Sequence, residues 1–87
     1  MSFRISRENQ DHGTLLRIEG NVSDDGLSVL RKAWKRAVVP LTVDLNGLLH
    51  VDKMILRELQ HMERKGVNLI GASPYLKLQL ADKKTEG

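Results

Sequence analysis

The chain has 87 residues, with 14 Lys and Arg against 11 Asp and Glu, a formal net charge of +3, 40% apolar residues, 29% charged residues and no cysteine. That length makes one domain with a thin core and modest net stability. The absence of cysteine excludes disulfides, thiolate metal sites and a thiol nucleophile, and no segment approaches the ~18 apolar residues of a membrane span.

The N-terminal segment Met1-Ser2-Phe3-Arg4-Ile5-Ser6-Arg7 is charged and alternating rather than a signal-peptide apolar run. With no covalent staples to need an oxidising compartment, the cytoplasm is the expected location. Phe3 and Ile5 fall on one side and Arg4 and Ser6 on the other, which is strand periodicity. A turn-rich stretch, Asn9 to Gly13, separates this from a second strand over Thr14 to Gly20, so the two read as an antiparallel hairpin. Ser23-Asp24-Asp25 carries capping and dipole-compatible residues for a helix start. Leu27, Leu30, Trp34 and Ala37 then recur at helical spacing as one apolar face, and Pro40 ends the helix.

Leu41 to Asn46 alternates as a strand, and Gly47 to Val51 reads as a loop. Asp52 is the expected cap of a second helix, whose buried face is Ile55, Leu56, Leu59 and Met62 and whose left-handed stop is Gly66. Val67 to Gly71 is a short apolar strand. Ser73-Pro74 then opens a third segment in which Leu76, Leu78 and Leu80 fit either a strand or a helix, with the start signal favouring helix. The polar residues 81–87 read as a disordered tail after a domain over residues 1–80. The expected architecture is α/β: a β-hairpin followed by βαβαβ-type crossovers, giving a small mixed four-stranded sheet with helices packed on it.

Catalytic signatures are missing from the pattern. The seven glycines are isolated, so no phosphate-binding loop opens a helix, and no Gly-x-Ser-x-Gly elbow is present. His12, His50 and His61 are far apart in sequence. A site from His50, Asp52 and His61 would lack a fourth ligand, so three solvated histidines are the expectation. Asp24 and Asp25 read as cap and dipole partner rather than a catalytic pair. Asp44 reads either as a turn-bonded carboxylate or as a functional group at the strand's C-terminal end. No catalytic residue, cofactor or metal ligand is assigned.

Charge placement says more. Arg31 with Lys35, and Lys32 with Arg36, are like-charged i,i+4 pairs that slightly destabilise the first helix. Lys53, Arg57, Gln60 and Arg64 fall in one outward row on the second helix. Lys53 occupies its first position, where a cation opposes the macrodipole at about 0.3–1 kcal/mol. Met54 beside it is a flexible apolar residue suited to adaptable contacts. Such a row is either a solvated face or one that meets an acidic partner. The basic faces also admit an alternative, a small anion-binding protein acting on nucleic acid or anionic lipid. Against it stand the small net charge and only three scattered aromatics, Phe3, Trp34 and Tyr75.

The block Leu41-Thr42-Val43-Asp44-Leu45-Asn46-Gly47-Leu48-Leu49-His50-Val51-Asp52 resembles the core motif of STAS domains, the sulfate-transporter and anti-sigma-factor-antagonist family. In that motif, apolar-x-apolar-Asp-Leu-Ser-Gly leads to apolar-Asp-Ser-Ser/Thr-Gly-Leu. Gly66-Val67-Asn68-Leu69-Ile70-Gly71-Ala72-Ser73-Pro74 is similar to the family's passage into its third helix. The likeness extends from about Thr14 to Leu80. It implies a non-catalytic regulatory module in the cytoplasm that docks on a partner: an anti-sigma kinase-like, stressosome-like or transporter-complex protein. Contact would be made through the loop before the second helix and that helix's exposed face, here Asp52, Lys53, Met54, Arg57, Gln60 and Arg64. A homodimer is a further partner left open. In many members the residue after the motif aspartate is a phosphorylated Ser or Thr. Here it is Lys53, and no hydroxyl lies between Gly47 and Met54, so that phospho-switch has no acceptor.

Overall fold

Strand alternation at the N-terminus does produce a hairpin, in a computed structural model that describes residues 3–81. Strand β1 (Phe3–Gln10) pairs antiparallel with β2 (Gly13–Val22), from Phe3 opposite Gly20 to Gln10 opposite Gly13. Phe3 and Ile5 turn partly inward while Arg4 and Ser6 are exposed. The turn is shorter than the polar sequence suggests, only Asp11 and His12. Glu8, Asn9 and Gln10 remain in the ladder with exposed side chains, because polarity marks exposure and not loss of backbone pairing.

Gly13 closes this corner with φ +138°, and a Cβ added there would run into the Pro40 carbonyl oxygen. Next to it the buried Thr14 hydroxyl donates to the Val38 carbonyl at 2.9 Å and accepts from the Val38 N–H at 3.0 Å. Because the obstruction is backbone, no rotamer relieves it. Gly13→Ala is therefore expected to destabilise the fold by more than about 1 kcal/mol. The check is a lower urea midpoint at unchanged slope, and an unchanged midpoint would contradict this account of the corner.

After β2, Asp24–Gly26 forms a 3-10 turn that leads into α1 (Leu27–Lys35). Strand β3 (Leu41–Asp44) runs parallel to β2, with Thr14 opposite Leu41 and Arg17 opposite Asp44. The expected loop over residues 47–51 is corrected here. Leu48–Val51 is a strand, β4, and pairs parallel with the far end of β2, Gly20 opposite Leu48 and Val22 opposite Val51. A turn at Asn46-Gly47 breaks the chain away from β3, and Gly20 N–H donates to the Gly47 carbonyl at 2.9 Å as pairing resumes. The register shifts between Gly20 and Asn21, so the buried residues are Leu48 and Val51, three apart, and no period-two signal survives. Helix α2 (Lys53–Arg64), strand β5 (Asn68–Ile70), parallel to β3, and helix α3 (Pro74–Ala81) follow. Among the described residues the sheet is thus mixed and five-stranded, rather than four-stranded, in the order β1-β2-β3-β5 with β4 also beside β2.

The helix favoured after Ser73-Pro74 forms and takes in Ala81, the first residue of the expected tail, and Gly66 ends α2 as expected. The Leu76 N–H donates to the Ser73 hydroxyl at 3.1 Å, capping α3. Gly66, at φ +97°, ends α2 with its N–H on the Glu63 carbonyl and the Val67 N–H on that of Met62, both at 3.0 Å, which is a Schellman stop. Ala81 is the last residue of α3, and residues 82–87 of the expected tail lie outside the described residues.

One apolar layer joins sheet to helices: Leu16, Ile18 and Val22 of β2 and Val43 of β3 meet Leu30, Ile55, Leu59 and Met62, all fully buried. Burial of each such side chain is worth roughly 1.5–3 kcal/mol of transfer free energy. The opposite face carries Arg17, Glu19, Thr42 and Asp44 together with Leu15 and Ile70. There Arg17 reaches Glu8 at 4.0 Å and Asp44 at 3.5 Å. Helix α2 touches both α1 and α3, so it is the middle helix and presents one outer face.

Candidate partner-docking site

The start of α2 is held by an exchange of caps between two segments. Asp52 occupies the N-cap position, yet its side chain caps no N–H of its own helix. Its Oδ2 instead accepts the Asp24 backbone N–H at 3.1 Å, and the Asp24 Oδ1 accepts the Met54 N–H at 3.3 Å. The expected capping of α1 by Ser23 or Asp24 is therefore not made; Asp24 satisfies a donor of α2. This lowers the number of orphan N–H groups at α2 and places a carboxylate at its positive end, beside the unfavourably placed Lys53. The Asp52 N–H donates to the Val22 carbonyl at 3.0 Å, which ties the helix start to the end of β2.

On this fixed backbone Lys53, Arg57 and Arg64 are exposed in a row, and Met54 is 46% exposed beside them. Gln60 is the correction. It is buried, and its amide donates to the Gln79 carbonyl at 3.3 Å and the Leu80 carbonyl at 3.2 Å, so it ties α2 to α3 instead of facing outward. The spacing that seemed to align it with Arg57 and Arg64 places it on the row's flank, and α3 covers that flank. Lys53, Arg57 and Arg64 have no carboxylate partner among the described residues.

On α2's other flank lies a polar cluster that sequence reasoning missed. Glu58 is buried, and its two oxygens accept the Trp34 indole N–H at 2.7 Å and the Arg31 guanidinium N–H at 3.2 Å. His61 sets its ring edge-on to Trp34 at 5.8 Å between centroids. The available signal was Trp34 itself, since an indole N–H buried on a helix face needs an acceptor from the element it packs on.

The remaining candidates separate. His50 Nε2 lies 3.4 Å from Asp52 Oδ1, while His61 belongs to the Trp34 cluster. Among the described residues no three His, Asp or Glu are grouped to hold a metal ion. Asp25 is exposed in the 3-10 turn. Asp44 is the turn-bonded carboxylate: its Oδ1 accepts the Asn46 backbone N–H at 2.9 Å and the Asn46 amide at 2.8 Å. The backbone bond chiefly holds the Asp44 carboxyl below its ordinary value of 3.8. Partial burial opposes it, and the Asn46 amide and Arg17 add smaller lowering effects.

A lowered folded-state value means that ionised Asp44 stabilises the fold. The contribution is complete above the ordinary carboxylate value and is lost as pH falls through the lowered one. Asp44→Asn should accordingly lose less stability than the wild type between neutral pH and pH below 3.8 in parallel urea titrations. Identical pH profiles would contradict this role.

No helix among the described residues is long and apolar enough to cross a membrane. In comparisons with known proteins, the chain matches no family model and no curated sequence.

Proposed function

We propose that the chain is a non-catalytic regulatory module of STAS type that docks on a partner protein through the junction between β4 and α2 and the exposed face of that helix. The observation that carries this reading is the row Lys53, Arg57 and Arg64, exposed beside Met54 and without carboxylate partners among the described residues, on a helix start fixed by Asp24 and Asp52. Charged groups held in place but unpaired suit a protein interface, where complementary charges set orientation and partner choice. Further support comes from Leu49, 77% exposed on the strand before α2, and Tyr75, 71% exposed, which line one shallow hollow with His50. They add exposed apolar surface near the same β4–α2 junction.

The partner class is that of the resemblance: an anti-sigma kinase-like, stressosome-like or transporter-complex component, met in the cytoplasm. Lys53 at the switch position makes docking independent of phosphorylation at that residue. Capture of bound proteins from the native cell, with wild type and Lys53→Glu/Arg57→Glu as paired baits, tests the reading. A partner retained by the wild type and lost by the variant supports it, and equal retention by both removes α2 from the interface.

A further inference from the structure

Two grooves flank α2. The one toward α3, about 750 Å³, carries mixed charge in Glu63, Arg64 and Lys77 and runs to Ala81, the last described residue. The other, about 340 Å³, lies between α1 and α2 and is lined by Arg31, Lys35, Met54, Arg57, Glu58 and His61. We propose that this α1–α2 groove receives an acidic segment of the partner protein, with Arg31, Lys35 and Arg57 meeting its carboxylates and Met54 its apolar side chains. The inference rests on the docking reading above and extends the interface from α2 onto α1.

The groove's charge is unbalanced in a specific way. Glu58 is the one carboxylate among the described residues that line it, and both of its oxygens are already engaged, by Arg31 at 3.2 Å and by the Trp34 indole at 2.7 Å. That contact anchors the Arg31 guanidinium while its side chain stays 50% exposed, leaving donors for a second acceptor. Lys35 and Arg57 have no carboxylate partner among the described residues. Arg31 and Lys35 also repel each other at i,i+4 along α1, and an anion between the helices relieves that repulsion. Cations from two helices, one of them anchored by Glu58, beside the apolar side chain of Met54 fit carboxylates carried on an amphipathic segment.

Nucleic acid fits less well. Among the described residues no Phe, Tyr or Trp lines the groove, and Trp34 is partly buried against the core with its N–H on Glu58, so the groove carries no indole or phenyl platform for a base.

The test uses the full chain and three fluorescein-labelled probes: a short amphipathic peptide of Glu and Leu, the same peptide with Gln for Glu, and a single-stranded DNA of equal length. Anisotropy is read at physiological salt on wild type, Lys35→Gln and Lys35→Glu. Lys35 is exposed at the end of α1, and thermal melts confirm that each variant is folded. The acidic peptide should bind the wild type best of the three probes, about tenfold more weakly to Lys35→Glu, with Lys35→Gln between. Equal peptide binding to all three proteins, no peptide binding, or tighter binding of the DNA overturns the proposal. Failure of the docking reading is distinguished with the captured partner. A partner lost by Lys53→Glu/Arg57→Glu but kept by Lys35→Glu refutes the groove alone, whereas one kept by both refutes the docking face as well.

Discussion

Glu58→Ala should lower the melting temperature by about 8–16 °C, corresponding to about 2 kcal/mol in a domain of this length. The variant removes the acceptor of the Trp34 indole N–H at 2.7 Å and of the Arg31 guanidinium at 3.2 Å. Arg31 is half-exposed, so water recovers most of its loss; its ion pair adds little once solvent screening is counted. The larger part of the cost comes from leaving a partly buried indole donor without a partner. Glu58→Gln keeps an oxygen for that donor and should recover part of the loss. Tryptophan fluorescence, reporting on the single Trp34, follows both unfolding transitions and the local change. A Glu58→Ala melt within about 2 °C of the wild type would show that this cluster does not hold α1 to α2.

Lys53→Glu/Arg57→Glu should leave the fold intact and abolish partner capture. Both side chains are exposed and neither belongs to the apolar face of Ile55, Leu59 and Met62, so stability should change by no more than about 0.5 kcal/mol for each. Glutamate at the first position of α2 also suits the helix dipole better than lysine. At an interface with an acidic partner, the same exchange turns two attractions into two repulsions, worth several kcal/mol. Thermal melts beside the capture assay separate the two effects. Loss of capture together with a large fall in melting temperature would point to a damaged fold rather than a damaged surface.

Much of this fold is legible in the sequence wherever one periodicity or one backbone rule acts alone. Leu41 and Val43 alternate because one face of β3 meets the core, Leu45 continues the pattern just past the strand's end, and all three are buried. Gly66 ends α2 because its left-handed backbone allows the last carbonyls to be satisfied. Strand β4 escapes because its register shift puts its two buried residues three apart, which breaks the period of two that marks a strand. The site divides in the same way. Lys53, Arg57 and Arg64 sit on the surface as helical spacing requires, whereas the placement of Gln60 depends on where α3 lands. The exchanged caps of Asp24 and Asp52 and the cluster around Glu58 join residues more than twenty positions apart, and local sequence carries no record of such pairings.

Site-specific photo-crosslinking to the captured partner tests the docking claim most directly. A photoreactive residue at Met54, 46% exposed at the start of α2, is compared with one at Ser6, exposed on the edge strand β1. The account predicts a crosslinked partner from position 54 and none from position 6. Crosslinking from position 6 with none from position 54 would contradict it and move the interface to the sheet edge.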